Sequence, residues 1–382
     1  MTDRASRRGG VAVGLTAVYG IAYAVRFALA ARALRAHPPA PAVTPPGRVS
    51  VLQPIRSGDP QLEDMLSENA IANPDAELRW LVDEDDPVAQ EICARLAARH
   101  GQVRVDLMPP VPQGANPKVY KLARALTECR ELVAVLDDDT VLPEGALGAA
   151  VGELSRGDLV TGIPVYRRGA TLWSRLVAGF VNGNALLTYL PMAQICPPVT
   201  INGMFSLTRR DELQALGGFA AIERGLCDDY ELAQLYRRAG LRIVQSAVTH
   251  PLATTVPDAH RYVALQRRWL LFARRLLSEQ RDPRLIGLVV VPSVLPLASV
   301  VIGGGSPVAI AALLTTMTIK NAAALALVSR VTGATSPPVA VAEGVLAELL
   351  TPVHLISSLV RPHRLQWRDR PIDVSDGTIH YG

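Results

Sequence analysis

"VAVLDDDTVLPEG", residues 133–145, sets a short apolar run directly against Asp137, Asp138 and Asp139. Such a run, closed by acidic turn residues, reads as a buried strand and its exit. Three adjacent carboxylates repel one another, so either a solvated turn or a divalent cation must offset the charge. Asp137 and Asp139 stand at i and i+2, and on an extended exit their side chains point the same way. Two hard carboxylate oxygens suit Mg²⁺ or Mn²⁺, above all where a diphosphate completes the coordination.

Around this stretch the chain alternates short apolar runs with helical patterns. Residues 49–55, 77–82, 103–108, 132–136 and 159–166 read as strands. "PQLEDMLSENAIA" (60–72) and "PVAQEICARLAARHG" (87–101) read as amphipathic helices, the second stopping at Gly101. This alternation predicts an α/β domain with a largely parallel sheet, whose ligands bind beyond the carboxyl ends of the strands. Asp83 and Asp137 each follow a predicted strand, so both should meet at that edge. No Gly-rich phosphate loop is present.

Both ends of the 382-residue chain are greasy. Charged residues make up 19% of it and the net charge is only +4, while mean hydropathy is +0.20. That balance points to membrane contact and gives a nucleic-acid partner nothing to hold. Residues 9–25 carry no charge and read as an uncleaved anchor, followed by a Pro-rich spacer at 35–48. Residues 285–319 are uncharged for 35 positions, too long for one crossing of a ~30 Å hydrocarbon core. "GGGSP" (303–307) breaks them into two spans, the second ending near Lys320. A third apolar stretch, 338–360, is interrupted by Glu343, Glu348 and His354, so it reads as either an interfacial helix or a third span. Arg361, Arg364, Arg368 and Arg370 favour a cytosolic C-terminus. The cysteines, Cys93, Cys129, Cys196 and Cys227, form no metal-binding or redox pair and read as reduced thiols.

Further acidic and basic motifs lie within the α/β stretch. "LVDEDDP" gives a second acidic strand exit at Asp83. "GLCDDYELAQLYRRAGLRIV" places Asp228 and Asp229 at a helix start, where carboxylates cap helices for ~1 kcal/mol. That position lowers a carboxylate's pKa, so a catalytic aspartate there would need desolvation to compensate. "ANPKVYKL" carries Asn116 and Lys118, "INGMF" carries Gly203 and Met204, and "LQRRWLLFARRL" carries Arg268 and Trp269. Lys121, Arg274 and Arg275 read as solvated charge. The RRW group also suits anionic lipid. "TLWSRLVAGFVNGNALLTYLPM" (171–192) reads equally as a buried core helix or as an interfacial element.

The order of these pieces, over roughly residues 49–275 and the flanking apolar segments, resembles the ceramide glucosyltransferase family, a branch of the glycosyltransferase family 2 superfamily. "WRDRPI" (367–372) also resembles the ending of many bacterial relatives. Two positions depart from the family pattern. Leu265 begins the (Gln/Arg)-x-x-Arg-Trp signature, with Gln266 one residue later, and the third acidic site reads Asp-Asp.

The resemblance implies a GT-A fold and an inverting transfer of a hexose, glucose by preference, from a UDP-sugar to a lipid hydroxyl of ceramide type. It implies that Asp83 contacts the nucleoside and that Asp137 and Asp139 hold Mg²⁺ or Mn²⁺ on the diphosphate. Lys118, Arg268 and Trp269 would also face the donor. Gly203, Met204 and Asp228 would lie on the acceptor side, and Asp229 would take the acceptor's proton.

The implied organisation is an anchor at 1–34, the linker at 35–48 and a catalytic domain at 49–280. A membrane region follows at 281–362, then a tail at 363–382. The catalytic domain would face the cytosol from the inner (plasma) membrane. Two other readings stay open on sequence: a processive polysaccharide synthase, and a catalytically dead membrane scaffold that binds lipid.

Overall fold

The computed structural model describes residues 2–38, 42–225, 227–360, 364–367, 370–375 and 378–381. The chain divides into two units, each interrupted in sequence. One comprises Met1–Pro38, Arg168–Pro197 and Val256–Arg361; the other comprises Pro39–Arg167, Pro198–Thr255 and Pro362–Gly382.

The second unit is α/β. Its elements are β1 (Val49–Ile55), α2 (Leu62–Ala72), β2 (Glu77–Asp83), α3 (Pro87–Ala97), β3 (Val103–Met108), α4 (Pro117–Ala125), β4 (Leu132–Leu136), α5 (Ala146–Glu153) and β5 (Leu159–Tyr166). Then come β6 (Phe205–Arg209), α8 (Arg210–Ala215), α9 (Asp228–Arg238) and β7 (Ile243–Leu252). The sheet runs β3-β2-β1-β4-β6-β5-β7. Every pair is parallel except those made by β6, which runs antiparallel to β4 and β5.

β1, β4 and β5 are buried at every position. Continuous apolar runs are what a sheet covered on both faces requires. Beyond these strands, Arg364–Trp367 (β8), Arg370–Ser375 (β9) and Thr378–Tyr381 (β10) form an antiparallel meander. Arg361 and Arg368, two of the tail arginines, lie outside the described residues, as does the centre of the WRDRPI run.

The first unit is helical: α1 (Thr2–Ala36), α6 (Leu172–Asn182), α7 (Leu186–Ile195), α10 (Ala259–Glu279), α11 (Pro283–Gly303), α12 (Pro307–Thr332) and α13 (Val339–Val360). Among the described residues, 7–36, 172–195, 307–332 and 339–357 are long and apolar enough to cross a membrane. The GGGSP break is sharp. Gly304 and Gly305 take positive φ, Ser306 caps the next helix by accepting from the Ala309 amide, and Pro307 starts it. α12 continues past Lys320 to Thr332, so that lysine sits in mid-helix.

Residues 171–192 become most of α6 and α7, which pack on α13 and α1. The polar interruptions of α13 turn inward. Glu348 accepts from Lys320 Nζ at 3.1 Å, from Asn321 Nδ2 at 3.1 Å and from the Tyr19 hydroxyl. Glu343 pairs with Arg168 at 2.6 Å and Arg175 at 3.4 Å. Partners of this kind let a charged helix pack in an apolar setting, since an unpaired charge there is expensive.

Candidate active site

The carboxyl edge of the sheet gathers the acidic residues. β2, β1 and β4 are adjacent and parallel, so Asp83, Arg56 and Asp137 leave the same edge. Arg56 ties two acidic exits together. Its amide donates to Asp138 Oδ2 at 3.0 Å, and its guanidinium donates to Asp83 Oδ2 at 3.2 Å. Asp138 is buried by this contact, which leaves Asp137 and Asp139 as the carboxylates on the other parity of the exit.

Lys121 is not the solvated charge that its surroundings in sequence imply. It is only 3% exposed and bonds both Asp83 Oδ2 at 2.8 Å and the Ile55 carbonyl at 2.9 Å. The reason is helical spacing: Lys118 and Lys121 stand three residues apart on one face of α4, and that face meets the acidic edge. Sequence reasoning therefore missed two cations, Arg56 and Lys121. The available signal was a basic residue directly after a buried strand, and another one turn beyond Lys118.

Lys118 is the hub. Its ammonium lies 2.7 Å from Asp137 Oδ1 and 2.8 Å from Asp228 Oδ2, and donates to the Gly203 carbonyl at 2.7 Å. Burial pulls this ammonium's pKa down, but the two carboxylates outweigh burial and hold it above its usual range. The Asn-Pro-Lys order explains the placement. Asn116 is fully buried and caps α4, its Oδ1 accepting from the Lys118 and Val119 amides, while Pro117 occupies the first helical position. Asn116→Ala should destabilise the protein by about 1–2 kcal/mol, read as a lower denaturation midpoint, because both amides lose their acceptor.

The entry to β6 brings in Gly203 and Met204. The Asp137 amide donates to the Met204 carbonyl at 3.0 Å, so entry to the reversed strand abuts the exit from β4. A Cβ on Gly203 would stand 3.3 Å from both Cβ and Oδ2 of Asp229. The close approach of this backbone to that carboxylate leaves almost no room for a side chain.

Asp228 and Asp229 open α9. Asp229 Oδ1 accepts from Cys227 Sγ at 2.6 Å and from the Tyr230 amide at 2.7 Å. Burial and then the neighbouring Asp228 push the Asp229 carboxyl up to about 6, against the lowering pull of those hydrogen bonds and of Lys118. Desolvation and like charge thus overcome the helix terminus, leaving an aspartate poised near neutrality. The Cys227 thiol, itself raised well above its normal value by burial and by Asp229, stays protonated as the donor. Arg268 and Trp269 belong to α10 in the helical unit, where Trp269 stacks on Phe180 with ring centroids 6.1 Å apart.

Among the described residues, no three His, Cys, Asp or Glu side chains form a metal cage. A diphosphate-bound Mg²⁺ or Mn²⁺ needs none, since one or two carboxylates and the phosphates suffice. Asp139 is prepared for such a role: Thr254 Oγ1 donates to one of its oxygens at 2.6 Å and Thr140 Oγ1 to the other at 3.2 Å. Hydroxyls that fix a carboxylate's orientation are what metal-ligating carboxylates carry. Asp137 has one oxygen on Lys118 and is partly exposed. The donor set fits a metal shared with a substrate.

The sequence model described as glycosyl transferase family 21 matches residues 12–380. The chain belongs to glycosyl transferase family 21. This glycosyltransferase is similar in structure to "Mannosyltransferase PcManGT from Pyrobaculum calidifontis in complex with GDP-Man and Mn2+". The TM-score is 0.52 and the identity 21%, over 92% of this chain and 98% of that one. The likeness speaks for the fold, and with the mixed sheet described above it makes the α/β unit a GT-A domain. S. aureus TarS 1-349 in complex with UDP-GlcNAc matches at TM-score 0.41 and 12% identity, over 88% of this chain and 96% of that one. A mycobacterial protein matches at TM-score 0.37 and 18% identity, over 60% and 74% respectively.

Proposed function

We propose that this glycosyltransferase moves a hexose, glucose by preference, from a UDP-sugar to the hydroxyl of a ceramide-like lipid, with inversion at the anomeric carbon. The observation that carries the reading is Asp229: a poorly solvated carboxylate raised to about 6, against Gly203 and next to the Lys118 hub. A base of that strength takes up a hydroxyl proton near neutral pH while remaining mostly ionised.

Asp229 accepts the proton as the hydroxyl oxygen attacks the anomeric carbon and the bond to the diphosphate breaks. Asp228 keeps Lys118 in place and raises the basicity of Asp229 by its charge. Lys118 and Arg268 face the diphosphate and stabilise the charge gathering on it. Asp83, held by Arg56 and Lys121, accepts hydrogen bonds from the nucleoside. Gly203 and Met204 border the acceptor, and Trp269 supplies an apolar surface beside donor and acceptor. Asp137 and Asp139 would hold Mg²⁺ or Mn²⁺, which supplies Lewis-acid stabilisation of the departing diphosphate.

The apolar helices support a lipid acceptor, because a hydroxyl on a membrane lipid must be met at the bilayer. A catalytic domain facing the cytosol from the inner membrane, where nucleotide sugars are made, completes the proposal. Its domain limits are those drawn from the sequence, with catalysis assigned to 49–280.

Membranes containing the protein, given labelled UDP-glucose, UDP-galactose or UDP-N-acetylglucosamine, should yield one labelled lipid. That lipid should be strongest with UDP-glucose and ceramide and should vanish on chelation of divalent metal. Label confined to water-soluble polymer or free sugar overturns the lipid acceptor, and a product that survives chelation overturns the metal assignment.

A further inference from the structure

α10 has two buried residues, and neither is aliphatic: they are Tyr262 and Gln266. Tyr262 is 1% exposed and Gln266 2%, yet among the described residues the Tyr262 hydroxyl and the Gln266 Nε2 have no hydrogen-bond partner. One helical turn separates them, so they share a face. On α13, which packs against α10, His354 is 5% exposed and its Nε2 is likewise unpartnered. The rings converge. Tyr262 and His354 meet edge to face at 5.1 Å, and Trp173 of α6 lies 5.6 Å from Tyr262. Buried polar groups are almost always satisfied, and an amphipathic helix with aliphatic residues to spare would normally bury those instead. Three orphaned groups within one aromatic cluster, in a unit of membrane-length helices, mark the place of a missing hydrogen-bonding partner.

We infer that Trp173, Tyr262, Gln266 and His354 form the pocket for the polar head of the lipid acceptor, and that this head carries a carbonyl oxygen beside a hydroxyl. The inference rests on the lipid-acceptor reading above and names residues that reading does not use. Two of the orphans, the Tyr262 O–H and the Gln266 N–H, are donors, and one carbonyl oxygen with two lone pairs satisfies both. The His354 Nε2 serves the hydroxyl as donor or acceptor according to tautomer. The four residues carry no fixed charge, which favours a neutral carbonyl–hydroxyl head over a phosphate. Trp173 and Tyr262 wall the pocket with surfaces suited to the boundary between a wet head and an apolar chain.

An amide in a ceramide and an ester in a diacylglycerol present the same oxygen, so both serve as probes. The full-length protein in detergent would be titrated with radiolabelled ceramide and, separately, with radiolabelled diacylglycerol, using wild type, Tyr262→Phe and Gln266→Leu. Loss of one hydrogen bond from a desolvated pocket should weaken binding of the preferred lipid about tenfold in each variant. In transfer assays the acceptor KM should rise by a similar factor while kcat changes little. The probe with the larger loss identifies the carbonyl type.

Unchanged lipid affinity in both variants, accompanied by equal or higher thermal stability, would mean that water alone fills the site and would overturn the inference. Glycolipid formation by wild type with unaltered acceptor KM in both variants would do the same while leaving the proposed function intact. Variant-sensitive lipid binding without any sugar transfer would keep the pocket and defeat the proposed function.

Discussion

Asp229→Asn should lower kcat by about two to four orders of magnitude and make the protein more stable above pH 6. The two effects have one origin. The carboxyl titrates at about 6 in the native chain, against an ordinary 3.8. A raised acid pKa means that the folded state resists the charged form, so the penalty is absent below about pH 4. It grows as pH rises towards 6 and is constant above that. At 1.36 kcal/mol per pKa unit, the shift is worth about 2–3 kcal/mol. Asparagine keeps an oxygen for the Cys227 thiol and the Tyr230 amide, and removes the charge. Wild-type kcat should correspondingly fall as pH drops through about 6, where an ordinary aspartate would hold activity to about 4. Stopped assays across pH, with denaturation midpoints at pH 5 and pH 8, read both quantities. A variant that is inactive and also less stable at pH 8 would make Asp229 a structural residue and remove it as the base.

Lys118→Met should be damaging in both respects. The ammonium bridges Asp137 and Asp228, both partly withdrawn from water. Its loss leaves two carboxylates facing each other and the Gly203 carbonyl without its donor. A broken buried pair costs about 3–5 kcal/mol; partial exposure here places the expected loss at about 2–4. Activity should fall at least ~100-fold, the scale for removing one group that stabilises a departing anion. Added Mn²⁺ should restore more stability to this variant than to wild type, by supplying positive charge to Asp137. Lys118→Arg, which keeps the charge without the compact ammonium geometry, should retain most of the stability and lose much of the activity. Equal stability of Lys118→Met and wild type would show that solvent already screens the carboxylates.

Much of this site is legible in sequence because its chemistry is written at element boundaries. Asp83 and Asp137 follow apolar runs too continuous for anything but covered strands, and Asp228 with Asp229 precedes an amphipathic helix. Lys121 was hidden because a lysine on a helix is usually solvated, and only the packing of α4 on the sheet edge buries it. Arg56 was hidden for a related reason: its partners, Asp83 and Asp138, lie on two different neighbouring strands' exits. Within residues 338–360 the partners of the acidic residues were likewise hidden. Hydropathy counts Glu343 and Glu348 as interruptions, but their partners Arg168 and Lys320 sit far away along the chain. The orphaned donors of α10 have no signature in sequence at all, because an unmet hydrogen bond is a property of packing.

The reversal of β6 has a consequence for how such a protein diversifies. β5 and β6 are consecutive sheet neighbours, with Leu159 opposite Thr208, and the chain between them makes the excursion that contains α6 and α7. The strands therefore close on each other as any hairpin would, whatever hangs from its tip. A different excursion could replace residues 168–197, leaving Gly203 and Met204 in place, without altering the register of a single ladder. The helical insert can thus evolve as a cassette exchange, while the residues at the far ends of β2 and β4 are inherited unchanged.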